Sequence, residues 1–93
     1  MREKEIELAL TAAVRKKCGL ALKLISPGLT GVPDRLVLLP DGRIGFVELK
    51  APGEKMRPLQ EKRKRQLEEL GFLVFCVDGK DQIEEVLYAI QST

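Results

Sequence analysis

The sequence predicts one α/β domain, a small mixed β-sheet flanked by helices. Three observations carry that prediction. Residues Arg2–Cys18 repeat apolar side chains at helical spacing. Residues Arg35–Leu39 and Arg43–Lys50 are near-continuous apolar runs on either side of Asp41-Gly42, the mark of a hairpin. A second helical stretch, Arg57–Leu70, then separates the hairpin from the apolar run Phe72–Val77. A helix used as a crossover places the strands on either side of it parallel and adjacent. At 93 residues the chain is one domain, near the lower end of what folds alone, and 44% apolar content argues against disorder.

Each element has a local cause. In the first helix Ile6, Leu10, Ala13 and Val14 form the apolar stripe, and Arg15, Lys16 and Lys17 suit its negative C-terminal end. Gly19 offers a stop. Glu3 and Glu7 lie one turn apart near the start, where the helix dipole favours carboxylates whether or not they have a further role. Leu20–Ser26 reads as a strand running into Pro27-Gly28-Leu29-Thr30-Gly31-Val32-Pro33. That loop could let a phosphate backbone come close, or could merely connect. The hairpin strands read as central strands covered on both faces. Pro58 and Gly71 delimit the second helix, with Leu59, Arg63, Leu67 and Leu70 as its inner stripe. Arg63 is out of place there unless its guanidinium reaches outward. Asp81 and Glu84 have the spacing of a capping box for a last helix, whose core face would be Ile83, Val86, Leu87 and Ile90.

Composition narrows the chemistry. The chain has no histidine, which excludes Ser-His and Cys-His hydrolases and histidine as a general base. Its two cysteines, Cys18 and Cys76, make no zinc site and read as buried free thiols in a reducing cytoplasm. The opening MREKEIELAL is charged and helical, unlike a secretory leader. No apolar stretch approaches the roughly 20 residues that cross a bilayer. Hydrolysis by this chain would therefore rest on carboxylates, a lysine and a metal ion. The net charge of +2 says little, but its placement says more. Lys55, Arg57, Lys62, Arg63, Lys64 and Arg65 face only Glu61 in the same stretch, which suits either a solvated helix face or a polyanion.

The ends of the hairpin supply carboxylates. Asp34 follows Pro33 at the start of one run, and Glu48 and Lys50 close the other. Strand alternation puts Glu48 and Lys50 on one face, and pairing through the turn brings Asp34 back beside them. A hard cation such as Mg²⁺ takes oxygen ligands and keeps several waters. Asp34 and Glu48, with the carbonyl of Leu49, would hold one, and Lys50 would orient or polarise a water. A Glu-x-Lys triplet alone is common as a weak surface ion pair. Here the charge follows the apolar run Ile44–Val47, a Pro-Asp pair opens the preceding strand, and the next helix is basic; together these favour a site.

Pro33-Asp34 followed by Glu48-Leu49-Lys50 resembles the signature of the PD-(D/E)XK nuclease superfamily. More widely, MREKEIELAL and GVPDRLVLLPDGRIGFVELKAPGEKMRPLQEKRKRQLEELGF resemble the VRR-NUC (virus-type replication-repair nuclease) family in its small stand-alone phage and bacterial form. The resemblance implies a restriction-endonuclease-like fold, an αβββαβ core plus a C-terminal helix. It implies hydrolysis of DNA phosphodiesters with Mg²⁺ or Mn²⁺. Asp34 and Glu48 would be metal ligands, joined by Glu3 of the first helix with Glu7 as its rival; Lys50 would be the catalytic lysine. Gln60 matches a family glutamine and would orient Lys50 or a water. Ser26, Arg57, Arg63 and Lys64 are the candidate DNA contacts. Stand-alone members are similar to Holliday-junction resolvases, which implies a homodimer on branched DNA in the cytoplasm of a bacterial host or phage-infected cell. A flap or nicking nuclease, and a non-catalytic DNA-binding module of the same fold, are the alternatives.

Overall fold

A computed structural model describes residues 1–93. Its elements follow the expected order: helix α1 (Glu3–Lys16), strands β1 (Leu20–Lys23), β2 (Arg35–Leu39) and β3 (Arg43–Leu49), helix α2 (Pro58–Glu69), strand β4 (Leu73–Val77) and helix α3 (Ile83–Gln91). The four strands form one sheet in the order β1-β2-β3-β4. β1 to β3 are antiparallel neighbours, and β4 joins β3 in parallel, as a crossover through α2 requires. The β2–β3 hairpin turns at Pro40–Gly42, where Asp41 and Gly42 both take positive φ (68° and 71°), a geometry that Asp and Gly tolerate.

One face of the sheet carries the core. Val37, Leu39, Val47, Leu49 and Val77 point into it and meet Ile6, Leu10 and Val14 of α1 and Ile83, Val86, Leu87 and Ile90 of α3. Gly45 belongs to this face because a Cβ there would run into the Ile90 side chain, so α3 lies directly on the strand. The opposite face is thinner. α2 covers it at β4, while Leu20, Leu22, Ile44 and Phe72 remain 61%, 43%, 37% and 39% exposed. The sheet is therefore not covered on both faces as the apolar runs suggest; one amphipathic helix is too narrow to span four strands.

Three further expectations change in detail. β1 stops at Lys23 rather than Ser26: the Leu24 N–H still reaches the Asp34 carbonyl (2.9 Å), and the chain then leaves the sheet for the Pro-Gly loop. Leu59 and Leu70 are exposed (40% and 72%), so the inner side of α2 is Gln60, Arg63, Lys64 and Leu67. Arg63 stays on that side because its guanidinium donates to the Thr30 carbonyl (2.8 Å) and pins the loop to the helix. Asp81 and Glu84 form no capping box. Asp81 lies in a 3-10 turn (Lys80–Gln82), and Glu84 points to Lys17 at 3.6 Å.

Cys18 is exposed and Cys76 only half-buried, rather than both being buried. Cys18 takes the left-handed position after α1 (φ 64°), where the Cys18 and Gly19 N–H groups bond the Arg15 and Val14 carbonyls. α2 ends in the same pattern with Gly71 (φ 98°) in that role. Gly19 is needed for another reason: a Cβ there would strike the Leu38 carbonyl.

Candidate active site

Only four polar or charged residues of the chain are buried, namely Arg35, Glu48, Lys50 and Gln60. All four belong to one end of the sheet, where the second turn of α1 and the first turn of α2 meet the start of β2 and the end of β3. Burying ionic groups in so small a core is costly unless each is paired, so their concentration marks a site. Asp34, just before β2, accepts the Leu49 N–H at its Oδ1 (3.2 Å), which holds its carboxylate against β3. Glu48, 5% exposed, receives the Gln60 amide at Oε2 (2.9 Å), and the Lys50 ammonium lies 3.7 Å from the same oxygen. Gln60 is itself fixed from behind, its Oε1 accepting the Arg57 N–H at the start of α2 (2.9 Å). One residue thus caps a helix and braces a carboxylate.

The other oxygen of Glu48 has no partner. Glu48 Oε1 is the one buried side-chain polar atom in the chain without a hydrogen bond. Buried acceptors are nearly always satisfied, so an unpartnered oxygen beside a second carboxylate suits a cation as ligand. The electrostatics agree. Burial raises the Asp34 carboxyl, and the charge of Glu48 raises it further, to about 6. Glu48 is raised mainly by burial, against the opposing pull of Lys50. Two carboxylates held ready to ionise but short of positive charge are what a hard divalent cation would relieve.

Known proteins resemble the chain over nearly its whole length. The chain is 49% identical over 90 residues to "Putative nuclease p44" of Acyrthosiphon pisum secondary endosymbiont phage 1, covering 97% of this chain and 96% of that one. A solved structure described as a VRR_NUC domain superposes with a TM-score of 0.85 at 31% identity, over 92% of this chain and 94% of that one. The chain belongs to the VRR-NUC family. No protein-family model matches it.

Within this VRR-NUC fold, the residues singled out from sequence divide into three groups. Asp34, Glu48, Lys50, Gln60 and the backbone of Leu49 come together. Glu3 is exposed in the first turn of α1, and its charge acts on both Asp34 and Glu48. No three acidic, histidine or cysteine side chains close into a cluster, so Glu3 stands outside the Asp34–Glu48 pair. Its rival Glu7 is already engaged: it forms ion pairs with Arg35 and with Lys4 (2.8 Å). Among the basic candidates, Arg57 is exposed and its charge reaches Glu48. Arg63 holds Thr30 and Gln66, and Lys64 pairs with Glu68 at 2.7 Å. Ser26 is half-buried at the start of the loop, its carbonyl accepting the Leu29 N–H.

The structure adds two connections absent from the expectations above. Arg35 is buried on the core face of β2, and strand alternation alone could have flagged a charge pointing inward. Asp78, after β4, ties three segments: its carboxylate accepts the Gly53 N–H (3.3 Å) and the Gln82 amide (2.7 Å). These bonds, the Gln82 amide first, hold Asp78 below the usual carboxylate range. No sequence spacing announces that clamp, because its partners come from separate loops.

Proposed function

We propose that this VRR-NUC chain is a metal-dependent, structure-selective DNA endonuclease, acting as a homodimer that resolves four-way junctions. The observation that carries the metal-dependent reading is the buried Asp34–Glu48 pair with an orphaned oxygen beside the Lys50 ammonium. Mg²⁺ or Mn²⁺ would be held by Asp34 and Glu48, with the Leu49 carbonyl and Glu3 completing the oxygen set directly or through water. When bound, the cation supplies an acidified water and neutralises charge developing on the phosphate.

The chain's own groups do the rest. Gln60 occupies Glu48 Oε2 and leaves Oε1 free to ligate. Lys50, 8% exposed and lacking any closer anion than Glu48, stabilises negative charge on the phosphate oxygens and orients the attacking water. The exposed side chains of Lys55, Arg57, Lys62 and Arg65 offer the DNA backbone positive charge next to the site. Ser26 and the loop it opens would lie along the same strand. Because Arg63 and Lys64 are engaged within the fold, they contribute to DNA binding less than their exposed neighbours. Pairing of two copies through the uncovered sheet face would present two such sites for two equivalent strands. The phage relative and the two unpaired thiols fit work in the cytoplasm of a bacterial host.

The test is cleavage of a labelled four-way junction, a flap, a splayed arm and a plain duplex, each with Mg²⁺, Mn²⁺ or EDTA. Wild type should make paired symmetric cuts in the junction that EDTA abolishes and Lys50→Ala slows by about 10²- to 10³-fold. Preference for flaps would keep the nuclease and remove the resolvase. Binding without cutting under every metal would leave a DNA-binding module.

A further inference from the structure

We infer that Arg35 is a positioning residue that, through Glu7, sets the placement of Asp34 and of α1 at the site. The inference rests on the metal-site reading above and adds a residue pair to it.

Asp34 is gripped at two points by different parts of the chain. Its carboxylate accepts the Leu49 N–H, and its carbonyl accepts both the Leu24 N–H (2.9 Å) and Arg35 Nη1 (2.8 Å). The second terminal nitrogen of Arg35, Nη2, makes an ion pair with Glu7. One guanidinium therefore joins the backbone of Asp34 to the second turn of α1. Glu3 sits one turn earlier on that helix, on the same side as Glu7. Fixing Glu7 fixes where Glu3 stands relative to the carboxylate pair.

The chemistry of the pair fits positioning rather than ligation or DNA contact. Arg35 grips the carbonyl of Asp34 and leaves its carboxylate free for other work. At 8% exposure it is out of reach of a polyanion. Glu7 spends its charge on Arg35 and Lys4, which removes it as a competing ligand. A planar fork with two separated donors suits this bridge, and a lysine ammonium cannot hold both partners in the same geometry. Buried supports of this kind around metal ligands typically change metal affinity by about 10- to 100-fold when removed.

The test compares wild type with Glu7→Gln, Arg35→Lys and Arg35→Met, each as the full chain. Amide hydrogen exchange in EDTA reads the hold on Asp34 at the Leu49 and Leu24 N–H groups, with Val37 and Val47 as references within the sheet. Titration with Mn²⁺ alone reads the site. The expected result is selective loss of protection at Leu49 and Leu24 in Glu7→Gln and Arg35→Met, with Mn²⁺ affinity about tenfold weaker. Arg35→Lys should recover melting temperature but not affinity. Glu7→Gln keeps the size and shape of the side chain, so it answers the question even if Arg35→Met does not fold. Equal protection and equal Mn²⁺ affinity in a folded Glu7→Gln would reduce the pair to an ordinary ion pair and overturn the inference. If wild type itself bound no Mn²⁺, the metal-site reading would fall, and the exchange pattern alone would still decide the positioning role.

Discussion

At Asp34 a half-buried carboxyl of the proposed site bears directly on stability. Its carboxyl titrates near 6 in the folded chain against an ordinary 3.8, so the folded state holds the proton more tightly than the unfolded state. Stability of the metal-free protein from this group must then fall as pH rises from about 4 to about 6 and level off above. Asp34→Asn keeps an oxygen for the Leu49 N–H but carries no charge. In EDTA at pH 7 it should melt roughly 5 °C above wild type, with the gap closing towards pH 4. Mn²⁺ should raise the melting temperature of wild type and leave Asp34→Asn unmoved, because only a native-state ligand stabilises. Lys50→Ala should separate the two roles, keeping Mn²⁺ binding while cleavage drops by about 10²- to 10³-fold. Asp34, Glu48 and Lys50 were legible before the fold because their signals are local, a Pro-Asp pair and charges closing an apolar run, whereas Gln60 was named only through the family resemblance. Arg35 was hidden because its partners are a carbonyl next door and a glutamate 28 positions earlier.

Among the elements, the two helix ends offer a matched comparison. α1 and α2 close with the same hydrogen-bond pattern, but α1 places Cys18 where α2 places Gly71. A side chain in that conformation costs about 1 kcal/mol. Cys18→Gly should therefore stabilise by about that amount, read as a higher urea midpoint with unchanged slope. Gly45→Ala should do the reverse, by about 2 kcal/mol, since its methyl would meet Ile90; adding Ile90→Val should recover part of the loss. Helix existence and order were legible from periodicity. The inner face of α2 was not, because its leucines follow a helical stripe while its position is set by Gln60 under Glu48 and Arg63 on Thr30. That leaves Lys62 and Arg65 as free cations. Replacing both with Gln should weaken DNA binding at all sequences and lower the salt slope by about 2.

For the whole molecule, the uncovered half of the sheet is the surface through which the proposed pairing of two copies would run. Leu20, Leu22, Ile44 and Phe72 share one face, with Phe72 stacked edge-on against Phe46. A stable interface needs about 800 Å² from each partner, and an apolar sheet face is a natural source for it. Leu22→Lys with Ile44→Lys should convert a sedimenting dimer into a folded monomer; in a protein that is already monomeric the two changes would alter neither mass nor melting temperature by much. During synthesis a chain emerges N-terminus first. The hairpin that bears Asp34 and Glu48 can pair as soon as it appears. The end of β3 is secured only later, when α2 has crossed over and β4 lies alongside, with Glu48 opposite Cys76 and the Lys50 N–H on the Val77 carbonyl. Gln60 braces Glu48 at the same late step. A half-made chain on the ribosome therefore carries Asp34 and Glu48 before the strand that fixes them, and the proposed site would be complete only once residues 73–77 have arrived.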